Sequence, residues 1–108
     1  MDGYALKYLN FSETRQQIQK NYGVVDKEWQ ILRIITKTHI CNDPPIRVRN
    51  LIDLSDIASP ATIHKSMKAL ISKGLVKLIV DESDGRIKYL EPTSRAIKLF
   101  NEIGKRMR

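Results

Sequence analysis

The stretch that decides the fold is residues 59–80, SPATIHKSMKALISKGLVKLIV. Ser59 followed by Pro60 predicts a helix start, because serine accepts hydrogen bonds from unpaired backbone N–H groups and proline at the first helical position loses no intrahelical bond. Apolar residues then recur at helical spacing and form one stripe, made of Ile63, Met67, Leu70 and Ile71. Gly74 is expected to end this helix, and the apolar run after it predicts a β-strand.

That strand is the first half of a predicted β-hairpin. The segments LVKLIV (residues 75–80) and RIKYLE (residues 86–91) flank DESDG, in which Gly85 is expected to supply the turn conformation. Upstream, a strand candidate at residues 46–48 precedes a short helix at about residues 49–54. Two short helices followed directly by a hairpin predict a winged helix-turn-helix, a mainly α fold with a small β-hairpin.

Three further helices complete the predicted chain. Asp26 is expected to cap a helix at about residues 27–38. Thr93 opens a last helix whose apolar stripe is Ile97, Phe100, Ile103 and Met107. At the other end of the chain, a first helix is predicted from a heptad-like seam of Tyr4, Tyr8, Phe11, Ile18 and Tyr22. Asn10 and Ser12 offer a break of this helix into two pieces, and Gly23 is expected to end it.

These elements divide the chain into three parts. Residues 1–23 are predicted to form a dimerisation helix, and residues 24–92 the winged helix-turn-helix domain. Residues 93–108 are predicted to form a C-terminal helix that packs on the domain or on a dimer interface.

Positive charge is concentrated in the C-terminal part of the chain. The 108 residues carry a formal net charge of +7. Residues 1–45 hold 6 Lys/Arg and 5 Asp/Glu, whereas residues 46–108 hold 13 and 7. Such asymmetry indicates a polyanionic partner, with nucleic acid favoured over an anionic membrane surface.

Several classes of protein are disfavoured by what the sequence lacks. Cys41 is the single cysteine, which excludes an internal disulfide framework. No apolar run approaches a membrane span and no secretory signal pattern is present, so we expect a cytoplasmic protein without a membrane partner. His39 and Cys41 lack further metal ligands nearby, and no phosphate loop or nucleophile–base pattern occurs. We therefore expect no metal, no cofactor and no enzymatic activity.

From about Ile46 to Ala96 the chain resembles the MarR-type winged-helix transcription regulators. The resemblance rests on SPATIHKSMKALISKGLV and on DESDGRIKYLEPT, in which Asp84-Gly85-Arg86 stands at the family's Asp-x-Arg wing signature. The turn DLSDIASP is about a residue longer than is usual in the family, and one C-terminal helix is predicted where the family has two. The resemblance implies a short, prokaryotic member that binds double-stranded DNA, and no residue indicates whether it has a small-molecule effector.

The recognition helix, about residues 59–73, carries Lys65, Lys68 and Lys73 and no acidic residue. On the side opposite the apolar stripe and at its flank lie candidate DNA contacts, namely Ala61, Thr62, His64, Lys65 and Lys68. Thr62 and Lys65 suit base edges in the major groove, and Ser59 at the helix start suits a phosphate. The alternative is a solvated lysine face, and His64 suits partial packing equally well.

The wing, about residues 76–91, is expected to contact the minor groove or the DNA backbone. The resemblance implies that Asp84 orients Arg86, which enters the minor groove or contacts a phosphate; the alternative is a surface ion pair. Lys77 and Lys88 alternate outward from apolar neighbours and are candidate phosphate contacts. Weaker candidates for the same contact are Arg47 and Arg49.

The aromatic seam of the first helix has two interpretations, an intrachain core and a dimer interface. We favour the interface, because a two-fold dimer would present two recognition helices to a palindromic site. The candidate dimerisation residues are Tyr4, Tyr8, Phe11, Ile18, Tyr22 and Phe100. The alternative function is a winged-helix protein–protein interaction module of a transcription or replication assembly, motivated by the acidic wing tip.

Overall fold

The computed structural model describes residues 2–54 and 56–107. Within these residues the chain forms five helices and three strands, which are α1 (Gly3–Asn21), α2 (Asp26–Ile40), β1 (Ile46–Arg47), α3 (Val48–Ile52), α4 (Pro60–Ser72), β2 (Val76–Val80), β3 (Lys88–Pro92) and α5 (Ser94–Gly104). The strands form one antiparallel sheet in the order β1-β3-β2. The predicted hairpin is therefore confirmed, with β1 as its third strand.

One hydrophobic core joins the helices to the sheet. Its fully buried members come from α2, α3, α4, the sheet and α5, and include Ile31, Leu32, Ile35, Leu51, Ile63, Leu70, Leu75, Leu90 and Leu99. The predicted stripe of α4 is confirmed, since Ile63, Met67 and Leu70 are buried and Ile71 is half-buried. Burial of each such side chain stabilises the fold by roughly 1.5–3 kcal/mol, so this stripe determines which side of α4 remains outside.

Both ends of α4 are formed by local signals in the sequence. The Ser59 hydroxyl oxygen accepts a hydrogen bond from the Thr62 backbone N–H at 3.3 Å, as predicted for the cap. Gly74 ends the helix with a φ of 73°, a left-handed conformation that favours glycine. The Thr93 hydroxyl donates to the Gly74 carbonyl at 2.6 Å, and the Thr93 N–H donates to the Leu75 carbonyl at 3.0 Å. The end of α4 is thereby joined to the start of α5.

Several predicted element boundaries were wrong by a few residues. Asp26 is the first residue of α2 and not its cap; Val25 precedes it, with its N–H donating to the Glu28 carboxylate at 3.4 Å. Helix α2 continues to Ile40, β1 begins at Ile46 as predicted but ends one residue earlier, and α3 spans Val48–Ile52 where residues 49–54 were predicted. Short elements depend on long-range packing, and their sequence signals are correspondingly weak.

Two local predictions failed for structural reasons. Gly85 does not adopt a positive φ, because the wing turn is closed by side-chain hydrogen bonds to Asp81. The buried stripe of α5 consists of Ala96, Leu99 and Ile103, whereas Met107 lies beyond the helix and is exposed.

Helix α1 is continuous through Asn10 and Ser12, and only its C-terminal half packs on the domain. Ile18 is buried in the core of its own chain. The Tyr22 hydroxyl donates to the Glu102 carboxylate at 3.1 Å, and desolvation together with this bond raises the pKa of Tyr22. The aromatic seam therefore has two parts. For Ile18 and Tyr22, in the C-terminal part, the interpretation as an intrachain core holds.

Phe100, another candidate dimerisation residue, also has a partner within the chain. It is half-buried against Trp29, with the two ring centroids 5.0 Å apart. By contrast, Tyr4 and Tyr8 near the start of α1 are 88% and 66% exposed. The exposed part of the aromatic seam is therefore confined to the N-terminal half of α1.

Lys73, the residue that follows α4, differs from Lys65 and Lys68 of that helix because its side chain turns toward α2. Its ammonium contacts the Glu28 carboxylate and the Gly23 carbonyl, which fastens the end of α4 to α2 and to the turn after α1. Glu28 is buried. Grouping Lys73 with the exposed basic face was therefore wrong.

Replacing Lys73 with methionine is expected to lower the free energy of unfolding by about 1–2 kcal/mol, because it leaves the Glu28 carboxylate buried without its cation. Urea denaturation would measure the change. Lys68→Met is the matched control, since Lys68 is exposed on the same helix. The double variant Glu28→Gln/Lys73→Met should recover part of the loss. Equal stability of Lys73→Met and Lys68→Met would contradict a structural role for the pair.

Candidate nucleic-acid interface

The outer face of α4 is exposed, basic and free of acidic side chains. Ala61, Thr62, Lys65 and Lys68 are exposed, and His64 is half-buried at the flank. In the part of the chain that the structure describes, neither Lys65 nor Lys68 forms an ion pair. Both ammonium groups are therefore available to an anionic partner.

Ser59 and Thr62 at the start of α4 are already hydrogen-bonded to each other. The Ser59 hydroxyl donates to the Thr62 hydroxyl oxygen at 3.0 Å while it accepts from the Thr62 N–H. Ser59 therefore acts first as a helix cap. The Thr62 hydroxyl keeps its own proton and remains exposed, so it can still donate to a base edge.

The two lysines of the wing differ in whether an acidic side chain balances their charge. Lys77 and Lys88 are both exposed, as the alternation predicted. The Lys77 ammonium lies 3.7 Å from the carboxylate of Glu91, its partner on β3, so part of its charge is balanced. Within residues 2–54 and 56–107, Lys88 has no such partner.

The wing turn is organised around Asp81, a residue that the sequence interpretation did not assign. One carboxylate oxygen of Asp81 accepts from the Ser83 hydroxyl at 2.7 Å, from the Ser83 N–H at 3.1 Å and from the Asp84 N–H at 3.0 Å. The Tyr89 hydroxyl donates to the other oxygen at 3.4 Å. An aspartate two residues before a serine is the sequence signal of such a turn.

Asp84 binds one edge of the Arg86 guanidinium and leaves most of that side chain exposed to solvent. The two oxygens of Asp84 accept from Arg86 Nε at 3.2 Å and from its terminal nitrogen at 3.3 Å, and the Arg86 N–H also donates to Asp84 at 3.0 Å. The Arg86 side chain is nevertheless 92% exposed. Such a surface pair adds little stability, so its main effect is to restrict the direction of the guanidinium.

Asp81 and Asp84 both keep an ionised carboxylate at neutral pH. The Ser83 hydroxyl lowers the pKa of Asp81, and the Arg86 side chain lowers the pKa of Asp84. A carboxyl group with a lowered pKa contributes fully to stability at pH values above the ordinary aspartate pKa of about 3.9. This contribution is lost as the pH falls through the lowered pKa. The wing turn therefore persists at neutral pH.

Arg47 and Arg49 border a surface groove between α3 and the wing. Arg47 lies in β1 opposite Tyr89 of β3, and its guanidinium carbon is 5.9 Å from the centre of the Tyr89 ring. The pairing of β1 with β3 thus brings residues far apart in sequence to one side of the wing.

None of the helices in the described part of the chain has the length and apolar character needed to cross a membrane. No cluster of three or more His, Cys, Asp or Glu side chains among those residues is placed to hold a metal ion. Cys41 is an exposed free thiol.

The sequence matches the family "Winged helix DNA-binding domain" over residues 24–96. Among solved structures, the fold is similar to that of the Staphylococcus aureus MepR–DNA complex, at 18% identity with a TM-score of 0.74, covering 96% of this chain and 76% of that one. Transcriptional regulator Tm0710 of Thermotoga maritima is similar at 19% identity and a TM-score of 0.71, covering 97% of this chain and 71% of that one. No curated protein matches the sequence.

The family match and the structural similarity agree on the same architecture. The matched residues 24–96 run from the turn before α2 into the start of α5 and contain α4 and the whole wing. The chain therefore belongs to the winged helix DNA-binding domain family and has the fold of the MarR-type transcription regulators.

Proposed function

We propose that the protein is a homodimeric transcription regulator that binds specific sites in double-stranded DNA. Helix α4 would lie in the major groove and the wing on the minor groove or the backbone. The observation that carries this proposal is the exposed face of α4, with cations and no acids, beside a wing whose Arg86 is held by Asp84 and projects into solvent. MepR, which has a similar fold, is in complex with DNA in its structure.

The side chains of α4 suit a groove because small and cationic residues alternate on its exposed face. Ala61 permits close approach to the base edges, and Lys65 can donate to guanine O6 and N7 or to a phosphate. Thr62 can donate from its hydroxyl or contact a thymine methyl group. Lys68, further along the helix, is suited to the backbone, and His64 at the flank is suited to either kind of contact.

Two of the three acidic side chains at the wing tip, Asp81 and Asp84, have an intramolecular role, which weakens the case for a protein–protein module. Asp81 and Asp84 accept hydrogen bonds from the wing itself. Arg86 is 92% exposed against 34% for Asp84, so it is the side chain of this pair that can reach the minor groove, where arginine responds to a narrow groove and its negative potential. The two acids would thus orient the arginine without contacting DNA.

The proposed dimer interface is the N-terminal half of α1 together with the end of the chain after α5. A groove of 730 Å³ there is lined in part by Tyr4, Tyr8, Phe11 and Met107. Leu6 and Leu9 on the same helix are also exposed. A second copy of this chain would cover these apolar side chains and present two α4 helices to a two-fold site. Ile18, Tyr22 and Phe100 already pack within their own chain and would contribute only at the border.

Removing a cation from α4 or from the wing should weaken DNA binding. We expect Lys65→Ala and Arg86→Ala each to lose about 1–3 kcal/mol of binding free energy, or roughly tenfold to a hundredfold in affinity. The preferred duplex is first selected from random sequences, and affinity is then measured by fluorescence anisotropy. Lys65→Ala should also relax the sequence preference, because Lys65 is placed to contact bases.

Lys37→Ala is the matched control for charge. Lys37 is exposed on α2, whose buried side packs against α4, so it faces away from the proposed DNA surface. This variant should keep nearly the parental affinity. The proposed function fails if Lys65→Ala and Arg86→Ala both bind the duplex as tightly as Lys37→Ala.

A further inference from the structure

The outer edge of the wing sheet carries exposed apolar side chains. Strand β2 stands at one end of the strand order β1-β3-β2, and among the described residues it pairs only with β3. Leu78, Ile79 and Val80 are 39%, 37% and 50% exposed. An edge strand of this kind offers unpaired backbone groups together with apolar surface, and it is therefore a template for pairing with another strand.

The hydrogen bonds of the hairpin show which backbone groups of β2 are directed to the open edge. In an antiparallel pair every second residue exchanges hydrogen bonds with the neighbouring strand, and the residues between them point their N–H and C=O groups the other way. The Asp81 N–H donates to the Ile87 carbonyl at 2.9 Å. At the base of the hairpin, the Thr93 N–H donates to the Leu75 carbonyl at 3.0 Å. The odd-numbered residues of β2 therefore face β3, and the even-numbered residues direct their backbone groups outward.

This outer edge is complementary to itself in one register. If two β2 strands pair antiparallel about Ile79, Leu78 of each copy lies opposite Val80 of the other, and each such pair can exchange two hydrogen bonds. Ile79 then lies opposite its own counterpart on the two-fold axis. Lys77 lies opposite Asp81 of the second copy, so the charged side chains in this pairing have opposite signs and attract each other.

Moving the two-fold axis by one residue along β2 removes this complementarity. An axis one residue earlier would set the Lys77 ammonium against Ile79 and would need the backbone of Val76, which is only 2% exposed. An axis one residue later would set the Asp81 carboxylate against Ile79. A charge that faces an apolar side chain loses hydration without gaining a partner. The observed exposure and charges therefore favour the axis at Ile79.

We propose that β2 pairs in this register with β2 of a second copy of this chain, so that two wing sheets join into one antiparallel sheet. The edge lies outside the apolar groove of α1, so the pairing would link two of the proposed dimers. Its buried area is small, and we expect a dissociation constant on the order of 0.1–1 mM.

The direction of the strands determines what such a pair can do. Paired β2 strands run in opposite directions, so the two wing turns would lie at opposite ends of the joint sheet. On the proposed function, the two wings would then contact separate segments of duplex and bring them together. This consequence rests on the proposed function, whereas the pairing itself does not depend on DNA binding.

A disulfide across the two-fold axis tests the register. In the background Cys41→Ser, which removes the single cysteine, Ile79→Cys would place two thiols in a non-hydrogen-bonded pair. Their Cα atoms would be about 4.5 Å apart, a distance that a disulfide spans. We expect a covalent dimer on a non-reducing gel after mild oxidation at submillimolar protein concentration.

The matched control for the disulfide is Lys77→Cys in the same background. It lies on the same face of the same strand, but the two copies of residue 77 would be about 13 Å apart, beyond the reach of a disulfide. This variant should cross-link at least about tenfold more slowly than Ile79→Cys. Equal rates at the two positions would overturn the pairing.

A charge pair at the axis provides an independent measurement. Ile79→Lys and Ile79→Glu each set like charges opposite each other and should lose self-association, whereas an equimolar mixture of the two should regain it. Sedimentation equilibrium measures the association, in the background Tyr8→Glu so that α1 does not contribute. Thermal unfolding of each variant checks the fold. A mixture that associates no more than either variant alone would also overturn the pairing.

The outcomes separate this inference from the proposed function. The proposed function is judged by the DNA affinities of Lys65→Ala and Arg86→Ala, which do not involve the edge of β2. If those variants lose affinity while the two tests at Ile79 fail, only the pairing of β2 is wrong. If the tests at Ile79 succeed and no duplex is bound, the pairing stands and the proposed function is wrong.

Discussion

Tyr8→Glu is expected to convert the proposed dimer into a monomer and to lower the affinity for a duplex with two half-sites by about 10²–10⁴-fold. Tyr8 is 66% exposed and lines the apolar groove of α1, so a second copy would have to bury the new carboxylate without a partner. The affinity falls because the second domain no longer binds as part of the same molecule. Light scattering after size-exclusion chromatography measures the mass, and a duplex titration measures the affinity.

The matched control introduces the same charge elsewhere on α1. Gln16 is exposed in the C-terminal half of that helix and is not among the residues that line this groove. Gln16→Glu should therefore remain dimeric with nearly parental DNA affinity. A Tyr8→Glu protein that is still a dimer would place the interface on another surface.

Asp81→Ala is expected to weaken DNA binding by about 10–100-fold, a loss at least as large as that of Arg86→Ala. The substitution removes the acceptor for the Ser83 and Asp84 N–H groups and for two hydroxyls, so the turn that places Asp84 and Arg86 loses its closure. The direction of the change in DNA affinity identifies its cause. Removing a negative charge from a DNA-binding surface should by itself tighten binding, so a loss reports positioning.

Glu82 provides the control, since it is an adjacent exposed carboxylate with no hydrogen bond or ion pair among the described contacts of the wing. Glu82→Ala should bind DNA at least as tightly as the parent. Asp81→Asn keeps one side-chain oxygen and should recover part of the affinity. If Asp81→Ala and Glu82→Ala bind alike, the hydrogen bonds of Asp81 do not govern the wing.

Helix α4 was predictable because its signals are local. The Ser59-Pro60 start and the Gly74 end act over a few residues, and the buried stripe follows from helical spacing alone. Knowing the buried side also identifies the exposed side, so the placement of Lys65 and Lys68 follows directly. The structure confirms both the helix and its orientation.

Features that depend on contacts between distant segments could not be predicted. Lys73 continues the lysine pattern of α4, yet it turns inward because Glu28 and the Gly23 carbonyl lie there, and only the packing of α4 on α2 brings them together. The residues of the aromatic seam keep a heptad-like spacing along the whole of α1, but α5 covers only those in the C-terminal half of the helix. The surface groove bordered by Arg47 and Arg49 likewise depends on the pairing of β1 with β3, which brings together residues far apart along the chain.

The two hydrogen bonds of Thr93 have a mechanical consequence. They connect Gly74 and Leu75, just after α4, to Thr93, which caps α5, across the base of the wing, and so restrict movement of α5 relative to α4. In the proposed dimer, the angle between α5 and α1 would therefore set the distance between the two α4 helices.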